Sequence, residues 1–310
     1  MKLIRGNHNL SQPLQGAVVT LGNFDGMHLG HQALLNKLNA MRESLNLPSI
    51  VITFEPQPKE FFAKRETVPR LMRFCEKWLA LKDYNIDYVF CLRFNQALAS
   101  LSPEAFVKKI LIDQLNAKVV IVGDDFRFGA KRAGDYAQLK QLGDKYGFQT
   151  IEMPTIMVDN ERVSSTRVRE ALEAGDLNAA EKLLGRPYRL YGKVGHGDRL
   201  GRDLGYPTAN VNLHRDLVPL GGIFVIRVYG LGDHPYEGVA NVGTRPMVGG
   251  TRILLEAHLF DFNAEIYGHN IEVEFLHKLR DEERYDTLEE LVEHIHQDVI
   301  DAKNYFRHLA

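Results

Sequence analysis

Thr20-Leu21-Gly22-Asn23-Phe24-Asp25-Gly26-Met27-His28-Leu29-Gly30-His31-Gln32 decides the reading of the first half of the chain. Upstream, Ala17 to Leu21 reads as a short buried strand. Downstream, Leu34, Leu35, Leu38 and Met41 recur at helical spacing. The motif between them is therefore predicted to be a strand-to-helix turn, where orphan N–H groups and the positive end of the helix dipole favour an anion such as a nucleotide phosphate. Gly26 and Gly30 allow close backbone approach. His28 and His31 are expected to donate to phosphate oxygens, with Gly30 leaving room between their rings for a triphosphate. The pattern has the shape of a nucleotidyl-transfer site.

A second segment, Val163-Ser164-Ser165-Thr166-Arg167-Val168-Arg169, precedes another helical pattern. Its hydroxyls and arginines suit a second clamp on phosphates, since a guanidinium matches phosphate geometry. Over the first 185 residues, strand-like runs (17–21, 49–54, 88–92, 119–123, 149–153) alternate with helical patterns such as 71–84, 103–115 and 135–146. Alternation of this kind predicts a doubly wound parallel sheet with ligands at its carboxyl edge. His28 and His31 follow the first strand, Phe54-Glu55-Pro56-Gln57-Pro58 the second, and Gly123-Asp124-Asp125-Phe126-Arg127-Phe128-Gly129 the fourth, so all three converge on that edge.

After Gly185-Arg186-Pro187 the texture changes to short alternating segments with glycine-rich turns, at 189–194, 223–229, 236–242, 252–260 and 271–279. These predict a small antiparallel β-barrel. A final helix is expected after Thr287, with Thr287 and Glu290 as a capping box and Leu288, Leu291 and Ile295 as its apolar face. The predicted domains are 1–185 and 186–310.

The second domain has its own candidate phosphate loop, His196-Gly197-Asp198-Arg199-Leu200-Gly201-Arg202-Asp203-Leu204-Gly205-Tyr206-Pro207-Thr208-Ala209-Asn210. Gly197, Gly201 and Gly205 suit a loop folding over a nucleotide. Thr208 and Asn210 share one strand face and offer oxygens of the kind Mg²⁺ takes while phosphate supplies the rest. In Leu254-Leu255-Glu256-Ala257-His258-Leu259, alternation puts Glu256 opposite the apolar Leu255, Ala257 and Leu259. From that face its carboxylate can accept a hydroxyl proton as the oxygen attacks a γ-phosphate.

The formal net charge is −2 and apolar residues make up 45% of 310. That balance gives no general attraction to nucleic acid or an anionic membrane. Cys75 and Cys91 are the only cysteines, both in apolar sequence surroundings, so a reduced protein is expected. The opening Met1-Lys2-Leu3-Ile4-Arg5 lacks a signal-peptide core and no run reaches membrane-span length, so the expected location is cytoplasmic.

Eight motifs, in order, resemble the prokaryotic bifunctional riboflavin kinase/FMN adenylyltransferase (FAD synthetase) family over nearly the whole chain: the four quoted from the first half, then Gly205–Asn210, Asn241–Pro246, Glu256–Phe262, and Phe275-Leu276 with Arg280, Glu283 and Tyr285. The resemblance implies that the first domain transfers AMP from ATP to FMN and the second phosphorylates riboflavin, with Mg²⁺ in both. For the first domain it implies catalytic His28, His31 and Arg167. ATP would bind Gly22, Asn23, Phe24, Gly26, His28, Gly30, His31, Ser164, Ser165 and Arg167, and flavin Phe54, Pro56, Pro58, Asp125, Phe126 and Arg127. For the second it implies Glu256 as base, ATP on Gly197, Asp198, Gly201, Arg202, Thr208 and Asn210, Mg²⁺ on Thr208 and Asn210, and flavin beside Glu256, Arg280 and Tyr285.

Overall fold

A computed structural model describes residues 1–6, 15–63, 68–196, 204–247 and 250–309. The chain forms two compact units, Met1–Val68 with Phe74–Ser164, and Pro69–Arg73 with Ser165–Ala310.

In the first unit β1 (Lys2–Arg5), β2 (Ala17–Leu21), α1 (Leu29–Leu45), β3 (Ser49–Glu55), α2 (Pro58–Phe62), α3 (Phe74–Lys82), β4 (Tyr88–Arg93), α4 (Gln96–Ala99), α5 (Pro103–Phe106), β5 (Ala117–Gly123), α6 (Tyr136–Tyr146) and β6 (Gln149–Met153) follow in order, and then the short β7 (Met157–Val158) and β8 (Glu161–Arg162). A π-helical turn, Val107–Ile112, continues α5. Six strands make one sheet in the order β1-β4-β3-β2-β5-β6, every pair parallel. From β2 the chain steps outward through β3 to β4 and then returns to β5 on the other side of β2. The motif after β2 thus opens at the point where the strand order reverses, which is where open α/β sheets bind ligands. β2 is buried along its whole length, as a strand covered by helices on both faces must be. β1, absent from the sequence reading, is an edge strand with one buried side chain, Ile4.

The second unit contains α7 (Ser165–Glu173), α8 (Leu177–Leu184), β9 (Tyr188–Gly195), β10 (Ala209–Asn212), β11 (Gly222–Tyr229), β12 (Tyr236–Met247), β13 (Gly250–Leu259), β14 (Asn270–Arg280) and α9 (Leu288–Leu309). The barrel closes in the order β10-β13-β12-β11-β14-β9, with β9 pairing β10. The first half of β11, Ile223 to Ile226, is apolar on both faces because both are covered. Phe224 meets Phe275 edge-on at 5.3 Å, whereas Ile223 and Val225 pack with Val299, Ala302 and Phe306 of α9. The Thr287 hydroxyl accepts from the Glu290 N–H, but the Glu290 carboxylate reaches the Asp286 N–H instead of closing a box on Thr287. Leu288, predicted on the apolar face, is 54% exposed.

The segment Pro69–Arg73 is hydrogen-bonded into this second unit. The buried Tyr188 hydroxyl donates to the Leu71 carbonyl, Arg215 to that of Arg70 and Arg169 to that of Pro69, while Arg73 donates to the Tyr191 carbonyl. Leu71 is fully buried there. The helix expected from residue 71 therefore begins at Phe74. Cys75 is exposed and only Cys91 is buried, contrary to the apolar setting expected of both.

Candidate active sites

His28 is the N-cap of α1, its backbone extended and its Nδ1 accepting from the His31 N–H at 3.4 Å. With Nδ1 engaged as an acceptor, the neutral ring carries its proton on Nε2 and presents that N–H as a donor. The two imidazoles stack with centroids 3.7 Å apart and planes 19° from parallel, and the Phe24 ring lies 5.0 Å from His31. That spacing corrects one expectation, because no triphosphate fits between stacked rings. Gly30 instead makes the seat for the imidazole, since a Cβ there would stand 3.2 Å from Nδ1 and Cε1 of His28. The turn is tight, with φ of 48°, 90° and 50° at Phe24, Gly26 and Met27. Burial foremost, then the charges of His28 and Lys77, hold His31 well below the usual imidazole pKa. His31 is thus neutral near pH 7.

Gly22 and Asn23 follow β2, and the Gly22 N–H donates to the Ile52 carbonyl. The Val163 carbonyl lies 3.9 Å from the position of a Gly30 Cβ, so the strand leading to Ser164 runs past the start of α1. Ser164 ends the first unit. Ser165 and Arg167 belong to α7 of the second. Arg169 is structural, donating to the Pro69 and Ser165 carbonyls.

Phe54 ends near the tip of β3, Pro56 follows a cis peptide bond, and Pro58 opens α2. Beside them is an aromatic wall the sequence reading did not single out. Phe94 stands edge-on to Phe54, Phe61 and Phe62 at 5.4–5.9 Å, and Phe62 is 62% exposed. A cluster of four phenyl rings, three half-buried and Phe62 exposed, suits a flat apolar ring system. Asp125 is not free to take a ligand hydroxyl without exchange, since it pairs with Arg162 at 2.6 Å, and Arg162 also reaches Asp124. Phe126 stacks on Phe128, and Arg127 is exposed, donating to the Phe126 carbonyl.

In the barrel, a cavity of about 390 Å³ is lined by Thr208, Asn210, Asn241, Leu254, Glu256, His258, Arg280 and Tyr285, among others. Strand register explains the grouping. Glu256 on β13 stands opposite Asn210 on β10 and opposite Asn241 on β12, so three polar side chains form one row across three strands. Leu255, Ala257 and Leu259 are buried on the other face. The sequence alone does not mark Asn241 as a site residue. Its Nδ2 donates to Glu282 at 3.3 Å, while its buried Oδ1 has no partner, as expected of a group that completes its bonding with a ligand. His258 bonds the Pro207 carbonyl through Nδ1 at 2.9 Å, tying β13 to the residue before Thr208.

Arg280 makes a bidentate pair with Asp298 of α9, at 2.8 and 2.7 Å. The side chain of Tyr285 lies beneath the guanidinium, 5.9 Å away. Neither Arg280 nor Asp298 is legible as a pair in the sequence, because 18 residues and a turn separate them. Gly197, Asp198, Gly201 and Arg202 lie outside the described residues. Thr208, Asn210 and Glu256 each carry a side-chain oxygen, and no group of three or more His, Cys, Asp or Glu placed to hold a metal occurs among the described residues. That donor set fits a hard cation whose remaining ligands are phosphate and water.

Residues 10–167 match the FAD synthetase family and residues 184–306 the riboflavin kinase family. Bifunctional riboflavin kinase/FMN adenylyltransferases of Escherichia coli (strain K12) and Haemophilus influenzae are 47% and 43% identical to the chain, each alignment covering 99% of it and 98% and 99% of the relative. The one from Pseudomonas fluorescens is 46% identical, over 98% and 97%. A crystal structure from Streptococcus pneumoniae, named a macrolide-efflux protein, superposes with a TM-score of 0.84 at 31% identity over 96% of this chain and 97% of that one. Among the described residues no helix is long and apolar enough to cross a membrane. Two family matches in the order of the two compact units, and relatives spanning both, show that the chain belongs to the bifunctional riboflavin kinase/FMN adenylyltransferase family.

Proposed function

We propose that the chain makes FAD from riboflavin in two ATP-dependent steps, residues 186–310 phosphorylating riboflavin and residues 1–185 adenylylating the FMN formed. The observation that carries the kinase reading is the row Asn210–Glu256–Asn241 on the wall of the barrel cavity. Glu256 accepts the proton of the flavin's terminal ribityl hydroxyl as that oxygen attacks the γ-phosphorus of ATP; FMN forms and ADP leaves. Thr208 and Asn210 would hold Mg²⁺, which when bound neutralises phosphate charge. Arg280 and Tyr285 flank the flavin.

In the first unit the phosphate of FMN attacks the α-phosphorus of ATP and pyrophosphate leaves, so catalysis is alignment and charge stabilisation, with no covalent intermediate. The Nε2–H of His28, the His31 ring and the N-terminal amides of α1 receive the triphosphate, assisted by Gly22, Asn23 and Ser164; the family resemblance assigns Ser165 and Arg167 of α7 to ATP as well. Phe54, Pro56 and Pro58, with the wall of Phe61, Phe62 and Phe94, take the isoalloxazine. Asp125, Phe126 and Arg127 border it. A cytoplasmic location and the lack of nucleic-acid or membrane partners are part of the same proposal, supported by the net charge of −2. Incubation with riboflavin, ATP and Mg²⁺ followed by separation of flavins tests it: FMN appears first and FAD follows. Accumulation of neither rejects the reading.

A further inference from the structure

The proposed kinase site asks Thr208 and Asn210 to act together, but only Asn210 has a strand to hold it. β10 begins at Ala209, and Thr208 is exposed in the turn before it. That turn needs a fixture other than the sheet ladder. In the antiparallel register Asn210 stands opposite Glu256 and Ala209 opposite Ala257, so one further step brings Thr208 level with His258. His258 shares a strand face with Glu256, two residues away, and lines the same cavity as Thr208 and Asn210. Its Nδ1 lies 2.9 Å from the Pro207 carbonyl oxygen. A carbonyl only accepts, so Nδ1 is the donor, and in the neutral ring the proton is absent from Nε2. The rings of Tyr206 and Phe260 stand edge-on to the imidazole at 5.6 and 5.9 Å and hold its plane. The Tyr206 hydroxyl is itself bonded to His296 of α9 at 2.8 Å. The turn Tyr206-Pro207 is thus gripped by β13 on one side and α9 on the other. Pro207, its φ fixed by the pyrrolidine ring, passes that constraint to Thr208.

We propose that His258 is a positioning residue for phosphoryl transfer, its Nδ1–H fixing the Pro207 carbonyl and through it the Thr208 hydroxyl beside the row of Asn210 and Glu256. The proposal rests on the reading of that row as the kinase site. His258 moves no proton in the reaction, because the one it carries on Nδ1 is kept in the bond to Pro207. Its contribution is alignment. A group that orients a ligand of phosphate or cation, without touching either, changes affinity or activity by about 10–100-fold.

The test uses the full chain. NMR of the nitrogen-labelled His258 ring reports where its proton sits, and Nδ1 is expected. His258→Leu removes the donor, whereas His258→Asn sets an amide N–H close to the place of Nδ1–H. In His258→Leu the Thr208 methyl resonance should shift and KM for ATP at fixed Mg²⁺ should rise about tenfold or more, while KM for riboflavin stays near its wild-type value. His258→Asn should return both the resonance and KM for ATP toward wild type. FAD formation from supplied FMN, carried by the other unit, should be unchanged in both variants. A proton on Nε2 with Nδ1 bare overturns the proposal, and so does an unchanged KM for ATP in His258→Leu. Equal impairment of His258→Asn and His258→Leu also overturns it, because the bulk of the ring rather than its bond would then matter. KM for ATP and for riboflavin rising together does the same, since a general loosening of the barrel has that effect. Should His258→Leu fail to fold, the proton position in the unaltered chain and KM for ATP in His258→Asn decide: a proton on Nδ1 with a near-normal KM supports the proposal, and the loss of either overturns it. Thr208→Ala with normal FMN formation would instead reject the kinase-site reading, while the proton on Nδ1 would still report the bond to Pro207.

Discussion

His28 and His31 stack because the turn before them, strained at Phe24 and Met27 and relieved by Gly26, points both rings the same way over a glycine. Replacing either by alanine should lower FAD formation from FMN by about 10²–10³-fold, the usual loss when one donor to a developing phosphate charge is removed. Riboflavin phosphorylation should continue, and chromatography of the flavins separates the two outcomes. Glu256→Gln keeps the shape of the barrel row but removes the base, so FMN formation should fall by roughly 10²-fold or more while supplied FMN is still adenylylated. The two cysteines offer a further check. Cys91 is buried, and burial, with Glu55 adding to it, pushes its thiol up to about 11, whereas Cys75 is exposed. A thiol reagent at about pH 8 should label Cys75 in the native protein and Cys91 only after unfolding. At this scale the histidines and Glu256 were legible because each chemistry needs its residue type at a local spacing. The burial of Lys77, the Arg162–Asp125 pair and the Arg280–Asp298 pair were not, since each depends on which distant segments meet.

At the scale of elements, the alternation of buried strands and amphipathic helices was readable because each strand is long enough to show a run and each helix long enough to show a period. β1 escaped that reading, and β10 entered it only as the strand of Thr208 and Asn210, not as an apolar run. Each has four residues, and a single buried side chain makes no pattern. Register, in contrast, is a matter of backbone contact, and Gly238 shows how closely β12 and β13 approach. A Cβ at Gly238 would fall 2.3 Å from the His258 carbonyl oxygen, a backbone atom that cannot turn aside. Gly238→Ala should therefore displace β13 two residues from Glu256, costing about 1–3 kcal/mol by overpacking. Riboflavin phosphorylation should suffer more than adenylylation of FMN, and thermal unfolding measured beside the two activities checks both statements.

At the scale of the whole molecule the change of texture near residue 185 marks where the sequence pattern alters, and the compact units part at Ser164 instead. The difference arises because α7 and α8 read as the last helices of an α/β series, yet their apolar faces are buried in the β unit. Leu177, Ala180, Leu183 and Leu184 are all buried, and a Cβ at Gly175, which ends α7 with φ 75°, would strike the Lys278 side chain on β14. Periodicity tells which face of a helix is buried but not against what. A fragment of residues 165–310 should accordingly be more stable than one of residues 186–310, since the shorter loses four buried leucines, Leu172, Leu177, Leu183 and Leu184, whose burial is worth about 1.5–3 kcal/mol each. Both retain Thr208, Asn210, Glu256 and α9, so both should turn riboflavin into FMN at low temperature, and neither should make FAD. Melting followed by circular dichroism alongside the flavin assay decides the point: the longer fragment should unfold several degrees higher. Equal melting temperatures would show that α7 and α8 add nothing to the β unit, leaving residue 185 as the boundary of folding as well as of texture.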